Sequence, residues 1–423
     1  MPAAPAQGSD RHPILVAGAG IGGLTAALAL AACGFRVVVA ERKEELSKIG
    51  AGIQIGPNAG RVLARLGLDR AMAQAAIEPE AIDILNGVTG RRLTAVPGRA
   101  FRQRYGFPYR VIHRTDLQSV LAAAVARVPA IRLLLGATVD SSKLQDDCLL
   151  VRLKRREGGE VVQAAALIGA DGVWSAQRQT IPGSAVPQPV GRTAWRAIVP
   201  ADTVSGLIEM KRVGLWLGPD AHLVHYPVAQ GAAVNLVAVV AEAWEKPGWN
   251  VRGEGAEINA RFAGWCGTVR RMLAAPISWQ KYALAPLDPT APWVSGRTAL
   301  IGDAAHAMVP FLAQGAAMAI EDAAVLAAAL YGASDIPAAL NAYEAARKER
   351  VTRVWEAARQ TGETYHYGSA MGAMRNAALA IGGARLVLKQ TDWVYRWTPP
   401  EPGTDMRAVS VGRQAASATP RAT

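Results

Sequence analysis

The feature that most constrains this chain is a glycine run, Gly18-Ala19-Gly20-Ile21-Gly22-Gly23, set between the apolar segment Ile14 to Ala17 and an Ala-rich stretch, Leu24 to Cys33. A β-branched segment spans Arg36 to Ala40 and ends on Glu41, eighteen residues past the last glycine. The order is strand, tight turn, helix, strand, with an acid closing the second strand. In such a βαβ unit Gly18 permits the turn and Gly20 lets backbone approach a pyrophosphate at the helix N-terminus. Gly23 allows helix and strand to pack closely, and Glu41 accepts hydrogen bonds from ribose hydroxyls. The motif alone does not separate FAD from NAD.

The same stretch invites a membrane reading, because Ile14 to Phe35 carries no charge over 22 positions and Gly18 with Gly22 mimics a helix-dimer face. The clustered glycines and the β-branched segment behind them argue instead for buried strands. The leader, Met1 to Pro13, lacks the basic, apolar and small-residue order of an export signal, so a cytoplasmic protein without a membrane anchor is expected. Cys33, Cys148 and Cys266 are far apart, which suggests neither a disulfide framework nor a metal site.

The chain has 423 residues, 51% of them hydrophobic and 19% charged, which suits two or three folded domains or one large α/β domain with an insertion. Its formal charge of +12 is scattered, with Lys154-Arg155-Arg156 the longest cluster and no interleaved aromatics, so the excess suits an anionic small molecule better than nucleic acid.

Ile82 to Leu93 and Tyr109 to Ile112 read as short strands, and Thr115 to Val128 as a helix capped by Thr115. Between Thr193 and Val240, the runs TAWRAIVPAD, GLWLGPD, HLVHYPVAQG and AVNLVAVVAE alternate with turn residues, as in an antiparallel sheet. The α/β character returns at Thr298 with TALIGDAAH, followed by a helix from about Gly315 to Leu330, and then by helical segments Ile336 to Thr361 and Ala370 to Val387.

Two further motifs follow the first: LIGADGVWSAQR, with Asp171 and Gly172 at a strand end, and ALIGDAAHAMVPFLAQGAAMAIEDA, with Asp303 likewise. With all three in order, from Ile14 to about Pro400 and including the late DWVYRW segment, the chain resembles the single-component flavoprotein hydroxylases, the group of salicylate hydroxylase and 3-hydroxybenzoate 6-hydroxylase. The resemblance implies an α/β fold in which a discontinuous Rossmann-type FAD-binding domain carries an inserted mixed or antiparallel substrate sheet and a helical C-terminal segment. The expected FAD-binding segments are 1–75, 105–185 and 290–335, and the substrate segments 76–104 and 186–289. Helices fill 336–403, and 404–423 is expected to be a mobile tail.

The resemblance also implies roles. Asp303 holds a ribitol hydroxyl of FAD, and Arg114 meets the phosphate and ribitol region. Asp171, with Gly172, Ser175 and Arg178, serves FAD and the pyridine nucleotide. Val139, Gly52 and Gln54 lie near the adenine or the ring, and Arg42 follows Glu41 at the cofactor. A helix N-terminus at Gly315 and Ala316 would stabilise negative charge on reduced flavin.

No second G-x-G-x-x-G follows, which suits NADH or NADPH as a transient co-substrate. The implied reaction is hydroxylation of a small, carboxylated phenol or related aromatic by dioxygen through a flavin hydroperoxide, in a monomer or homodimer. An FAD oxidase or epoxidase acting on a quinone or isoprenoid is the alternative chemistry, and a basic nucleic-acid- or membrane-associated protein the non-enzymatic one.

His222 and Tyr226, four apart on an expected strand, point to one sheet face while His225 points away. Their spacing resembles a His and Tyr that meet the substrate hydroxyl, and His222 is expected to titrate near neutrality as a base. Pro310 resembles the proline over the flavin edge. Trp195 and Phe311 are expected in the substrate pocket, where Phe311 departs from the hydroxynicotinate pattern, and Arg196 can hold a carboxylate. His306 is expected to pack beneath the cofactor loop against a backbone partner.

Overall fold

The computed structural model describes residues 12–46, 51–156, 158–244, 248, 250–404 and 406, so the expected leader and tail lie almost wholly outside the described residues. A six-stranded sheet runs in the order Val294–Ser295, Thr298–Leu300, Ala166–Gly169, Ile14–Ala17, Val37–Glu41, Ile131–Leu135. All neighbours are parallel except the first pair. The central strands are buried on both faces, which is why their sequences are continuous apolar runs and not alternating ones.

On one face Ile14, Val16, Val37 and Val39 pack under helices Ile21–Ala32, Arg114–Val125 and Gly315–Leu330. The other face, with Leu15, Ala17, Val38 and Ala40, is covered by an antiparallel sheet of Thr138–Gln145, Cys148–Lys154 and Gly159–Ala164. That three-stranded cover was not anticipated; its outer strand is nearly all polar and exposed, so alternation there is weak.

The second sheet has eight strands, ordered Asn250–Gly253, Trp279–Ala283, Arg192–Pro200, Ala233–Ala241, Ala221–Val228, Arg212–Gly218, Ala81–Asn86, Arg92–Pro97. Only Arg212–Gly218 against Ala81–Asn86 is parallel, so the sheet is mixed. The expected strand 82–93 is in fact a hairpin, turning where Asn86 Oδ1 accepts from the backbone of Val88 and Thr89.

Period-2 alternation gives this sheet two distinct faces. Trp195, Trp216, Leu223, Leu236 and Trp279 point one way and pack on helices Gly255–Arg261 and Gly267–Ala274 through Ile258, Phe262, Val269 and Met272. Ala194 and Val239 point the other way, onto Val309, Phe311 and Ala358, and Tyr226 with Val228 meets Tyr109 and Val111.

Helix Ile336–Tyr365 and a helical segment Ser369–Tyr395, kinked at Gly383 where φ is 56°, follow, and both extend beyond the expected bounds. The helix at 115–128 starts one residue early; His113 occupies the cap position, and the Thr115 hydroxyl pairs with the His113 ring. No described helix is long and apolar enough to cross a membrane.

Candidate active site

The first turn is built by close contact. Gly18 has φ of 107°, and a Cβ there would sit 2.6 Å from the Ala170 carbonyl oxygen. A Cβ on Gly23 would lie 1.9 Å from Gly18 O, and Gly22 presses on Ala319. Gly20 behaves differently: it caps Ile21–Ala32, and nothing lies within 4 Å of the Cβ it lacks. The open space is therefore at the helix N-terminus, where unsatisfied N–H groups attract an anion. Beside it Glu41 Oε2 accepts from Ala19 N at 2.8 Å and Oε1 from Lys43 N at 3.0 Å, which aims the carboxylate at the mouth of the turn. Arg42, the next residue, and Arg114 are exposed, and Val139 is buried in the same cluster as Ala40.

Asp171 Oδ2 accepts from Ala176 N at 2.8 Å, while its Oδ1 is buried without a partner, and Gly172 follows with φ of 82°. Asp303 is exposed at the start of its helix, its Oδ1 3.8 Å from where a Gly315 Cβ would be. Gly315 and Ala316 open the helix Gly315–Leu330. An open helix N-terminus, an aimed acid, an orphaned buried carboxylate oxygen and an exposed aspartate together fit FAD.

This platform rests on two buried acids that the motif reading missed. Asp322 Oδ2 accepts from Gly302 N at 2.8 Å and pairs with His306 Nε2 at 2.6 Å, and its Oδ1 takes Arg347 Nε at 2.7 Å. Glu321 binds Arg347, Arg350 and Asn58, and Asn58 also binds Gln314. Burial opposes charge on Asp322, but His306 and Arg347 outweigh it and hold the carboxyl below its usual range. His306 is thus structural, with a carboxylate and not a backbone group as partner. Two acids inside the apolar run AMAIEDAAVL were the available signal.

On the second sheet His222 and Tyr226 do share a face, and His225 packs on Trp216 on the other. Trp195, expected in the pocket, is fully buried on the face opposite His222 and Tyr226, against Trp279, because it sits one residue out of phase; Arg196 takes the place on the face of His222 and Tyr226. His222 is not a near-neutral base. Burial first, and then Arg192, push its pKa down to about 3, and its Nδ1 lies 2.7 Å from His366 Nε2. Phe311 stands edge-on to both rings, wedged against Gly362, with Pro310 beside it starting the turn Pro310–Leu312.

Tyr226 crowds Gly52, whose N–H donates to Asn235 Oδ1 at 2.8 Å. Gln54 accepts from the Tyr109 hydroxyl. Arg196 Nε and Asn235 Nδ2 are buried donors with no partner. His366, Asn235 and Arg192 carried no sequence signal, since only pairing across the sheet brings them here. His12, Asp147 and Cys148, a group near enough together to hold a metal ion, lie away from this region.

The glycine turn with its open helix N-terminus on one sheet and the buried polar groups on one face of the second give the chain the two-sheet layout of a flavoprotein oxygenase. A family model described as FAD binding domain matches residues 11–358, and the chain belongs to that family as a single-component FAD-dependent aromatic monooxygenase. It is 35% identical over 384 residues to 3-hydroxybenzoate 6-hydroxylase 1 of Aquipseudomonas alcaligenes, covering 90% of this chain and 97% of that one. An arginine-to-glutamine variant of Klebsiella pneumoniae HpxO, complexed with FAD, matches with a TM-score of 0.80 at 26% identity, over 91% of this chain and 99% of that one. A salicylate hydroxylase substrate complex matches with a TM-score of 0.77 at 26% identity, over 94% and 98%.

Proposed function

We propose that this monooxygenase hydroxylates a small carboxylated phenol held between the loop Pro310–Leu312 and the face of the second sheet that bears His222 and Tyr226. The observation that carries the substrate class is Arg196, a cation on that face whose Nε is buried without a partner. Val237 lies beside it on the next strand and Val224 beyond that, on the strand of His222 and Tyr226 itself, so an apolar strip leads across about 10 Å from Arg196 to that strand. An aromatic ring on that strip puts its carboxylate at Arg196 and its hydroxyl at His222 or Tyr226. The compounds named for two relatives, 3-hydroxybenzoate and salicylate, are both carboxylated phenols, and the meta hydroxyl of the first is the one placed to reach across the strip.

Gly18, Ala19, Gly20, Gly22 and Gly23 would admit the FAD pyrophosphate, and Glu41 and Arg42 its adenosine half. Asp303 and Arg114 would hold the ribitol, Asp171 and Gly172 the middle of the cofactor, and Val139 would border the adenine. Gly52, Gln54, Gly315 and Ala316 would surround the ring. Bound there, FAD supplies electron storage and dioxygen chemistry, with NADH or NADPH as transient reductant. Phe311 excludes water and Pro310 shapes the turn beside the reacting edge. The division into cofactor segments 1–75, 105–185 and 290–335 and substrate segments 76–104 and 186–289 accompanies this reading, as do a cytoplasmic location and a monomeric or homodimeric state.

The test compares 3-hydroxybenzoate, salicylate, phenol and benzoate as stimulators of NAD(P)H oxidation, with products identified by mass and peroxide measured. The two phenolic acids should stimulate and yield a product one oxygen heavier, phenol much less, and Arg196→Met should erase the preference for the acids. Yellow protein that no phenolic acid stimulates rejects the proposal.

A further inference from the structure

His366 ends the 30-residue helix Ile336–Tyr365, at its C-cap, and its ring stacks 5.0 Å from that of His222, centroid to centroid. The two nitrogens 2.7 Å apart, His222 Nδ1 and His366 Nε2, share one proton, so one ring donates and the other accepts. The remaining nitrogen of His366, Nδ1, is buried without any partner. The groups around the pair are Arg192, which stands near Asp220 and Glu363, then Arg375, Tyr365 and Phe311. Arg192 and Arg375 oppose a proton on His366, which adds to the effect of burial. A bare Nδ1 lone pair suits that positive field; an orphaned N–H does not.

We infer that His366 is a positioning residue that donates from Nε2 to His222 Nδ1 and so fixes His222 as an Nε2–H hydrogen-bond donor toward the substrate oxygen. His222 then holds the phenolic oxygen, favouring its ionised form, and does not remove its proton. The inference rests on the reading above that His222 faces the substrate. It also explains why a histidine too weakly basic to serve near neutrality stands on the substrate face.

Two measurements on the holoenzyme test it. In 15N-histidine-labelled protein, with His222→Gln used for assignment, His222 should show a protonated Nε2 and a bare Nδ1; a protonated Nδ1 overturns the inference. That arm needs no turnover, so a failure of the substrate reading is seen separately, as absent stimulation by 3-hydroxybenzoate in the parent. In the second arm, His366→Phe should lower kcat/KM for 3-hydroxybenzoate about tenfold, the worth of one neutral hydrogen bond. Its peroxide fraction should rise while its FAD content stays unchanged. His366→Gln, which places an N–H donor at the same point, should recover most of the loss. A His366→Phe enzyme that performs as the parent, or a His366→Gln enzyme equally impaired, reduces His366 to packing and overturns the assignment.

Discussion

Replacing Arg347 by Met tests whether the cofactor platform depends on the buried ion network. The guanidinium is 1% exposed, gives Nε to Asp322 at 2.7 Å and Nη1 to Glu321 at 2.8 Å, and lies against the Trp397 ring. Methionine keeps much of the apolar stem and removes the guanidinium, and with it the charge and the hydrogen bonds to both acids. Both acids are fully buried, and stripping one partner from such a pair costs about 3–5 kcal/mol. The lower end applies, because Glu321 keeps Arg350 and Asn58, and Asp322 keeps His306 and Gly302 N.

With an unfolding entropy of roughly 2.1 cal/mol/K per residue over 423 residues, about 0.9 kcal/mol/K, the Tm should fall by about 3–4 °C. Flavin affinity should fall with it, since Asp322 anchors the backbone just before Asp303, and Glu321 anchors Gln314 through Asn58. The assay is thermal melting with and without FAD. A variant melting within a degree of the parent, with unchanged FAD affinity, would refute the claim that Arg347 stabilises these buried acids and, through them, the cofactor platform.

The same network sets an acid limit. The folded-state pKa of Asp322 is depressed, so its contribution is present above the unfolded value of about 3.9 and lost as pH falls below it; Tm should drop steeply there, and less steeply in Asp322→Asn. Gly20→Ala should leave the stability of the apoprotein unchanged yet weaken FAD binding, whereas Gly23→Ala, whose Cβ meets Gly18 O, should damage both; equal effects in melting and flavin titration would contradict the open-space argument. Trp195→Ala should cost about 3–5 kcal/mol of stability without changing substrate preference, measured by denaturant unfolding and steady-state kinetics, because the ring lies on the far side of the sheet.

The cofactor half of the fold was legible because its determinants are local. Gly18 to Gly23 and Glu41 lie within one βαβ unit, and their backbone requirements can be read from residue type alone. Alternation likewise placed His222 with Tyr226, since parity on one strand needs no knowledge of its neighbours. Trp195 was misplaced for the lack of such an internal reference: the phase of one strand against another is set by cross-strand register. The Arg347 network and the His222–His366 contact join residues 25 and 144 positions apart, and no periodicity reports such pairings.

The bond from Gly52 N–H to Asn235 Oδ1, with the Tyr226 ring filling the space a side chain on Gly52 would need, stitches the short strand Gly52–Ile55, paired with Arg110–His113, to the middle of the second sheet. A lateral shift of either piece must break a buried amide contact, so the seam is stiff at that point. Traffic of aromatic molecules into and out of the chamber would then have to pass elsewhere, and any hinge would pivot about this seam instead of opening it.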